Sequence, residues 1–281
     1  MILVTGATGT IGTEVVQQLR AEGHKVRVLA RDPAKAAKLG DGIEVVQGDL
    51  NKPETLGAAF HGVDKLFLLA TGEDLTRQEG HALAAAQQAG VTYVVKISAS
   101  GADEALLQLG RWHAEAEAQV KAAGIPWTIV RPGSFMSNTL MWVGSIKGQG
   151  MVYNPAGTGK TAPIDPKDIA AVAVKALTSP GHDGKVYEIT GPHALSTPDQ
   201  VGKISAAIGR PLQCVDVPEA AARSAMLGQG MSPTMADALV ELMTFIKTEG
   251  YGATTTTVEQ VLGRQPRTFE EWLSEHAGAF R

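Results

Sequence analysis

A glycine-rich stretch near the start of the chain constrains the fold more than any other feature. A short apolar run, Ile2-Leu3-Val4, precedes three glycines spaced three residues apart, Gly6, Gly9 and Gly12, and an amphipathic helix pattern follows. A strand, a glycine turn and a helix in this order are typical of a dinucleotide site. Gly6 would permit the tight turn, Gly9 would let the backbone approach a pyrophosphate, and Gly12 would let the helix pack closely on the strand.

The phosphates of such a dinucleotide would lie against N–H groups at the positive end of the helix. The residues between the glycines complete the predicted phosphate loop: Ala7, Thr8, Thr10 and Ile11. The spacing is G-x-x-G-x-x-G rather than G-x-G-x-x-G, so an ordinary glycine-rich turn in a βαβ unit is the alternative interpretation.

Composition bounds the class of protein. With 281 residues, 44% hydrophobic content and a mean hydropathy of −0.01, the chain suits one large or two small globular domains. The net charge is −4 without a basic tail, so we expect no nucleic-acid partner. We also expect no bound metal. The lone cysteine, Cys214, cannot form an internal disulfide, and no apolar run reaches the roughly 18 residues of a membrane span. We expect a cytoplasmic protein without a targeting segment, since the first strand begins at residue 2.

Strand and helix patterns alternate through the first half of the chain. Apolar runs predict strands at residues 2–4, 26–30, 43–47, 65–70, 91–97 and 127–131, with helical patterns between them. Apolar strands separated by helices predict a parallel sheet covered on both faces, with right-handed crossovers. The predicted fold class is α/β: a Rossmann doubly wound parallel sheet with a smaller, mostly helical C-terminal substrate lobe.

The second half of the chain is less regular. Residues 144–163 are rich in Gly, Pro and Thr and predict a loop, whereas residues 166–177 and 185–190 predict a helix and a strand that return to the sheet. From Ser196 the pattern is mainly helical. We expect a nucleotide-binding domain at residues 1–132, joined by residues 164–190, and a discontinuous substrate lobe at residues 133–163 and 191–281.

Residues 154–161 look like a phosphate-binding loop that ends in Gly-Lys-Thr. Asn154 stands where that motif requires its first glycine, and Pro163 follows too soon for the required helix. We therefore predict a mobile loop here rather than a second nucleotide site.

The end of the second predicted strand bears on the choice of cofactor. An NAD site usually places a carboxylate there to bind the ribose 2′-hydroxyl, but this chain has Ala30 and Arg31. Arg31 suits a 2′-phosphate, and Lys35 would add positive potential. Asp32 is a competing ribose ligand, although its place before Pro33 favours helix capping. We predict NADPH rather than NADH, with a solvated surface arginine as the alternative for Arg31.

Small residues end the later strands, where the ligands of open α/β sheets bind. The residues that we expect to line the ribose and nicotinamide are Ala70, Thr71, Gly72, Ser98 and Ala99. After the sixth strand the chain turns toward the second lobe, and this turn completes the expected cofactor set with Pro132, Ser134 and Phe135. Ser98 could equally cap a turn.

The glycine spacing, within the stretch TGATGTIG, resembles the extended and atypical branches of the short-chain dehydrogenase/reductase superfamily. The resemblance implies a catalytic Tyr-x-x-x-Lys pair on the helix after the fifth strand. None of the four tyrosines has a lysine four residues further on. The corresponding helix carries His113 and Glu117 instead, at a spacing that places both on one helix face.

This exchange, together with other motifs, resembles the NmrA-like atypical branch of the superfamily. The matching motifs are Arg31-Asp32-Pro33, Gly48-Asp49-Leu50, Arg131-Pro132-Gly133 with Phe135 and Asn138, Asp168-Ile169-Ala170 and residues 187–191. That branch includes NADPH-dependent quinone reductases and triphenylmethane or azo dye reductases, so the resemblance implies NADPH and an aromatic or quinone-like acceptor. It also implies that Asp49 and Leu50 lie near the adenine, with a helix N-cap as the alternative for Asp49.

Loss of the Tyr and Lys pair changes the chemistry that we expect. The alkoxide from an ordinary ketone would lack its acid, a contribution of roughly 10²–10⁴-fold in rate. A quinone, a cationic dye or an activated double bond needs less help because it spreads the charge that hydride brings, so the protein mainly positions the reactants. His113, with a pKa near neutrality, could donate a proton while Glu117 orients it, unless they form a helix surface pair without a role. Lys96 is another candidate donor, with a head in solvent as the alternative.

Bulky residues follow the sixth strand and would suit a flat, apolar acceptor bound between the lobes: Phe135, Asn138, Met141 and Trp142. The core of a hinge between the lobes is the alternative for them. We predict an NADPH-dependent oxidoreductase of electron-poor conjugated acceptors. The alternative function is a non-enzymatic NADP(H) sensor of the NmrA type, and a homodimer would suit the fold.

Overall fold

Alternating strands and helices occupy the first half of the chain, and the computed structural model describes residues 1–281. In chain order the elements up to residue 132 are β1 (Ile2–Val4), α1 (Thr10–Ala21), β2 (Val26–Ala30), α2 (Pro33–Ala36), β3 (Ile43–Gln47), α3 (Gly57–Phe60), β4 (Lys65–Leu68), α4 (Leu75–Ala89), β5 (Tyr93–Ile97), α5 (Gln108–Ala122) and β6 (Trp127–Pro132). The later elements are α6 (Val143–Gln149), β7 (Met151–Asn154), β8 (Lys160–Thr161), α7 (Pro166–Thr178), β9 (Lys185–Ile189), β10 (Leu195–Ser196), α8 (Thr197–Ile208), β11 (Gln213–Asp216), α9 (Glu219–Gly228), α10 (Pro233–Thr248), α11 (Thr257–Leu262) and α12 (Phe269–His276).

Seven strands form the central sheet in the order β3-β2-β1-β4-β5-β6-β9. The paired strands from β3 to β6 are parallel, and Ile2 of β1 lies opposite both Val26 of β2 and Lys65 of β4. The order reverses beside β1, which is the topological switch point where doubly wound sheets bind nucleotides. The predicted Rossmann fold class is confirmed.

Apolar strands and helix faces build the core of this sheet. Leu3, Leu66 and Val94 belong to one buried cluster with Phe60 of α3 and Leu83 of α4. Each of these side chains is almost fully removed from water, which is worth roughly 1.5–3 kcal/mol for a large apolar residue. Such packing explains why the strands read as nearly continuous apolar runs.

Two compact units divide the chain. The first comprises residues 1–106, 110–132 and 166–188, and the second comprises residues 107–109, 133–165 and 189–281. The predicted domain division differs from these bounds by placing residues 107–109, 164–165 and 189–190 with the nucleotide-binding part. None of the helices has both the length and the apolar character needed to cross a lipid bilayer.

The second unit has its own apolar core and two small sheets. Trp272, Phe269 and Phe280 are buried together with residues of α6, β7 and α8. β7 pairs with β11 in parallel, and β8 pairs with β10 antiparallel. The predicted loop at residues 144–163 is therefore wrong in part, because α6, β7 and β8 lie within it. Pairing with β11, about sixty residues further along the chain, gives β7 a partner that no local pattern shows.

The Gly-Lys-Thr stretch that resembles a phosphate loop lies in this second unit and has another use. Lys160 and Thr161 form β8, and no helix follows them directly. A Cβ added to Gly159 would lie 2.0 Å from the carbonyl oxygen of Ile246 in α10. This glycine therefore allows close packing of two backbones, which agrees with the rejection of a second nucleotide site.

Candidate active site

The glycine loop between β1 and α1 has the geometry of a phosphate site. Gly6 has a φ of +62°, which favours glycine, and a Cβ on Gly12 would lie only 2.1 Å from the Gly6 carbonyl oxygen. Gly9 is the N-cap of α1, and no side chain caps the helix. The first N–H groups of a helix of 12 residues are therefore available to an anion. Among the other predicted loop residues, Thr8 and Thr10 are exposed, whereas Ala7 and Ile11 are buried.

The segment after β2 separates the roles of its two charged residues. Asp32 is the N-cap of α2, and its Oδ1 accepts a hydrogen bond of 3.0 Å from the backbone N–H of Ala34. The capping interpretation of Asp32 is confirmed. Arg31 and Lys35 are exposed, and neither side chain has a hydrogen-bond or ion-pair partner. A cation without a partner beside the glycine turn of a doubly wound sheet fits a 2′-phosphate.

The GDL segment after β3 forms a tight turn. Asp49 Oδ1 accepts a hydrogen bond of 2.9 Å from the Asn51 N–H, so its carboxylate caps this turn rather than a helix. His81 Nδ1 of α4 donates to the Leu50 carbonyl oxygen at 2.7 Å and so holds the turn against α4. The nearness of Asp49 and Leu50 to the adenine stays a prediction.

The end of β4 lies beside the glycine loop. The Thr5 hydroxyl donates to the Leu69 carbonyl oxygen at 3.0 Å and accepts from the Leu69 N–H at 2.8 Å. A Cβ on Gly6 would also lie 3.1 Å from that carbonyl oxygen. The structure thus brings the phosphate loop together with the residues after β4, where Ala70 is buried and Thr71 is exposed. Gly72 has a φ of +93°, a backbone conformation that favours glycine.

A buried carboxylate, Glu117, organises the ends of β5 and β6. Its Oε1 accepts hydrogen bonds of 2.7 Å from Arg131 Nε and 2.7 Å from the Ser98 hydroxyl. Its Oε2 accepts from Arg131 Nη2 at 2.8 Å and from Lys121 Nζ at 3.2 Å. Burial alone would raise the pKa of Glu117, but the hydrogen bonds from Arg131, Ser98 and Lys121 lower it to about 2. Glu117 is therefore ionised at neutral pH, and four donors occupy its oxygens.

The direction of the Ser98 hydrogen bond follows from this ionisation. A carboxylate can only accept, so the Ser98 hydroxyl proton points at Glu117. Ser98, which is 4% exposed, can then offer only oxygen lone pairs to a ligand. Ser98 lies at the carboxyl end of β5, as the sequence predicts. Its hydroxyl proton is donated to Glu117 and therefore does not cap a turn.

Arg131 extends the network to other elements of the first unit. Its Nη1 lies 3.1 Å from Asp103 Oδ2 and 3.4 Å from Glu188 Oε1 of β9. The Ser100 hydroxyl donates to the other Glu188 oxygen at 2.7 Å. The partnership of Arg131 with Glu117 was missed in the sequence, where Arg131 stood out only as part of a turn motif. A lone arginine ending an apolar strand is the signal that could have indicated it.

His113 differs most from its expected state. Burial lowers its pKa to about 3, the Lys96 cation adds to this effect, and the Glu117 carboxylate opposes it less strongly. The expectation of a pKa near neutrality is wrong, because the imidazole is withdrawn from water and faces a cation. Its Nδ1 is buried and has no hydrogen-bond partner, so Glu117 does not orient the ring through a hydrogen bond. His113 is neutral at physiological pH.

Lys96 forms a fully buried ion pair. Its Nζ lies 2.6 Å from Glu79 Oε2 of α4, and both side chains are 0% exposed. The alternative that placed the Lys96 head in solvent is wrong. Burial raises the pKa of the Glu79 carboxyl, and the Lys96 cation opposes that rise. Glu79 was missed in the sequence, although it shares the apolar face of its helix with Leu75 and Leu83, which is an uncommon place for a carboxylate.

The residues expected to contact the acceptor lie in the second unit, on and before a 3₁₀ helix, Met136–Trp142. Met141 is 70% exposed and Asn138 is also exposed. Trp142 instead packs against the core of this unit, and Phe135 forms an isolated parallel β-bridge with Ile164. Pro132 is buried at the end of β6, and Ala99 is half-buried after β5.

Two features of the candidate site stand out beyond these residues. The Ser134 hydroxyl oxygen is buried without a hydrogen-bond partner in the second unit. No three His, Cys, Asp or Glu side chains group in a way that could hold a metal ion. The roles of the cofactor and acceptor residues stay predictions.

Comparisons with known proteins agree with this geometry. A family model described as NAD(P)H-binding matches residues 6–180. The chain is 43% identical to an NAD(P)H azoreductase of Xenophilus azovorans over 283 aligned positions, covering 100% of this chain and 99% of that protein. It is 40% identical to a (4-alkanoyl-5-oxo-2,5-dihydrofuran-3-yl)methyl phosphate reductase of Streptomyces griseus subsp. griseus, covering 100% of this chain and 99% of that protein.

A solved structure shares both the fold and the length of the chain. It is the NADPH-dependent quinone oxidoreductase of Escherichia coli in complex with NADPH, with a TM-score of 0.87 and 30% sequence identity. The similarity covers 98% of this chain and 99% of that one. Similarity therefore extends over both units and is not confined to the glycine loop.

Proposed function

The chain belongs to the NAD(P)H-binding family, in the NmrA-like atypical branch of the short-chain dehydrogenases and reductases, and we propose that it transfers hydride from NADPH to an electron-poor conjugated acceptor. Quinones, azo dyes and triphenylmethane dyes are the acceptor classes that we expect. The relatives named as reductases favour an enzyme over a non-enzymatic NADP(H) sensor.

One observation supports this acceptor class above the others: none of the groups in β5, α5 or directly after β5 that could replace the missing tyrosine is free to protonate an alkoxide. No tyrosine is followed by a lysine four residues on, and the Ser98 proton is held by Glu117. His113 is neutral and Lys96 is fully buried against Glu79. An acceptor that spreads the negative charge over a conjugated system does not need such an acid, whereas a simple ketone does.

The residues of the first unit would bind the cofactor as follows. NADPH, when bound, supplies the hydride. The N–H groups at the start of α1 would bind the pyrophosphate, and the glycines keep side chains out of its way. Arg31 and Lys35 would bind the 2′-phosphate, which underlies the proposed preference for NADPH over NADH. Ser98 would accept a hydrogen bond from a donor group of the ligand, because its own proton is already used.

The remaining proton of the reaction comes from water in this proposal. A quinone becomes a quinol when it takes one hydride from the cofactor and one proton from the solvent. The quinol oxygen that receives this proton is a weak base compared with an alkoxide, so solvent suffices. Glu117 then acts as a positioning residue that holds the Ser98 hydroxyl, and Lys96 acts through its ion pair with Glu79.

A panel of acceptors tests the proposed function. NADPH oxidation is measured with a quinone, an azo dye, a triphenylmethane dye, a simple aldehyde and a simple ketone. We expect turnover of at least one conjugated class, and kcat/KM values at least about 10²-fold lower for the simple carbonyls. Flat traces for every conjugated acceptor, while NADPH binds by calorimetry, would falsify the proposal.

Two coarser properties accompany this function. We propose that the protein works in the cytoplasm, where its half-buried Cys214 would remain a thiol. We also propose a homodimer, which light scattering coupled to size-exclusion chromatography can test directly.

A further inference from the structure

The segment that follows β5, residues 99–106, ends in a leucine that faces water. Leu106 is 59% exposed, the largest exposure of any large apolar residue in the first unit. Val186, the other exposed large apolar residue of that unit, is 38% exposed. A leucine left in water forgoes the free energy of burial, so a ligand that covers it recovers that free energy on binding.

The backbone around Leu106 is well anchored. Arg111 Nη1 donates a hydrogen bond of 2.8 Å to the Leu106 carbonyl oxygen, and Asp103 pairs with Arg131. Ala102 is 0% exposed, which fixes the middle of the segment in the core. A Cβ on Gly110 would lie 2.9 Å from the Gly101 carbonyl oxygen, so the segment packs directly on the start of α5. Leu106 is thus held outward by packing and hydrogen bonds and does not belong to a frayed end.

The residue before Leu106 carries backbone strain. Ala105 has a φ of +49° and is the one non-glycine residue of the chain with a positive φ. Its N–H donates to the Gly101 carbonyl oxygen at 3.2 Å, which holds this conformation. Strain of this kind persists where the surroundings impose it, and it is concentrated in ligand-binding segments.

The place of the segment in the sheet indicates what could cover the leucine. Residues 99–106 leave the carboxyl end of β5 directly after Ser98, and they lead into the helix that carries His113. Ligands of open α/β sheets bind at this edge. The acceptor of the proposed reaction is flat and largely apolar, so its ring offers the surface that Leu106 lacks.

We propose that Leu106 is a preformed apolar contact for the hydride acceptor and helps to set which acceptors the protein favours. The proposal rests on the function proposed above. Because the contact is apolar, its contribution grows with the hydrocarbon area of the acceptor. Leu106 would therefore favour fused-ring acceptors over small ones and would leave the binding of NADPH unchanged.

The test replaces Leu106 and compares two quinones of different size. Leu106→Ser, Leu106→Ala and the control Val186→Ser are assayed with 1,4-benzoquinone and 1,4-naphthoquinone at saturating NADPH. We expect Leu106→Ser to raise the KM for naphthoquinone roughly 5- to 20-fold and that for benzoquinone less than about 2-fold. The kcat values and the Kd for NADPH, followed by fluorescence, should stay within about 2-fold, and Val186→Ser should behave as the parent protein.

Several results would overturn the role of Leu106. Equal changes in KM for both quinones, or no change in either, would show that Leu106 does not contact the fused ring. A weaker Kd for NADPH would assign the residue to the cofactor or to the fold. Conversion of a dimer to a monomer by Leu106→Ser, with unchanged KM, would mean that a second copy of the chain covers it. Absence of turnover in the parent protein would instead refute the proposed function itself.

Discussion

Replacing Lys96 by methionine should destabilise the protein strongly, because it leaves Glu79 without its partner. Both side chains are 0% exposed and the charged atoms are 2.6 Å apart. Removing one member of a buried ion pair costs about 3–5 kcal/mol, since the remaining charge is neither paired nor hydrated. A change of 1 kcal/mol shifts Tm by about 2–4 °C in a large domain, so Lys96→Met should lower Tm by about 6–20 °C.

The double variant Lys96→Met/Glu79→Leu removes both charged groups. It therefore tests whether the lost stability of the single variant comes from the unpaired Glu79 carboxylate. Apolar replacement of both members of a buried pair is often neutral or stabilising. We therefore expect the double variant to recover most of the lost Tm, measured by circular dichroism at pH 7. A Tm shift of less than about 2 °C in the single variant, or no recovery in the double variant, would refute the reasoning.

The same double variant decides whether Lys96 takes part in catalysis. Lys96 is one of the proton donors that the sequence suggests. If the role of Lys96 is only to pair with Glu79, the double variant of restored stability should have a kcat for a quinone within a few fold of that of the parent protein. A loss of about 10²-fold or more, in a variant of restored stability, would instead assign Lys96 to the reaction.

Three further predictions concern the cofactor and the buried network. Arg31→Ala should weaken NADPH binding about 10- to 150-fold, the value of a hydrogen bond to a charged group, and NADH binding less than about 2-fold in calorimetry; equal losses would remove Arg31 from the 2′-phosphate site. Ser98→Ala should leave kcat for a quinone within about 3-fold of that of Ser100→Ala, whereas a loss of about 10²-fold would identify Ser98 as a donor to the acceptor. Because the pKa of His113 is about 3 when folded and 6.5 when unfolded, stability should fall as pH drops from 6.5 toward 3. His113→Gln should reduce this slope in urea titrations by up to about 1.4 kcal/mol per pH unit and leave kcat between pH 5 and 9 without a histidine inflection; an unchanged slope would contradict the buried state.

Local patterns were sufficient for the architecture of the nucleotide-binding part. The glycine spacing of residues 6–12 and the apolar strand runs specify where the chain turns and which residues face the core, and these are properties of neighbouring residues. The cap formed by Asp32 before Pro33 is another local feature, and it was predicted correctly. The fold class followed from such signals because a parallel sheet with helices between its strands has few possible connections.

Features made by residues distant in sequence could not be predicted in this way. β7 has only four residues, and two helices and three other strands separate it in the chain from its partner β11. The helical spacing of His113 and Glu117 was correct, yet it did not indicate that Arg131 and Ser98, from two neighbouring strands, occupy the Glu117 oxygens. Contacts of this kind depend on the register of separate elements and leave no periodic pattern.

Protonation states show the same division most clearly. The sequence alone shows which groups can titrate, and it placed His113, Glu117 and Lys96 on neighbouring elements of a nucleotide-binding fold. Tertiary structure decided their charges, because a pKa depends on the water that folding removes and on the charges that folding brings close. His113 became a neutral ring beside a cation, and Lys96 became half of a buried pair with Glu79, only through the packing of α4 and α5 beside β5.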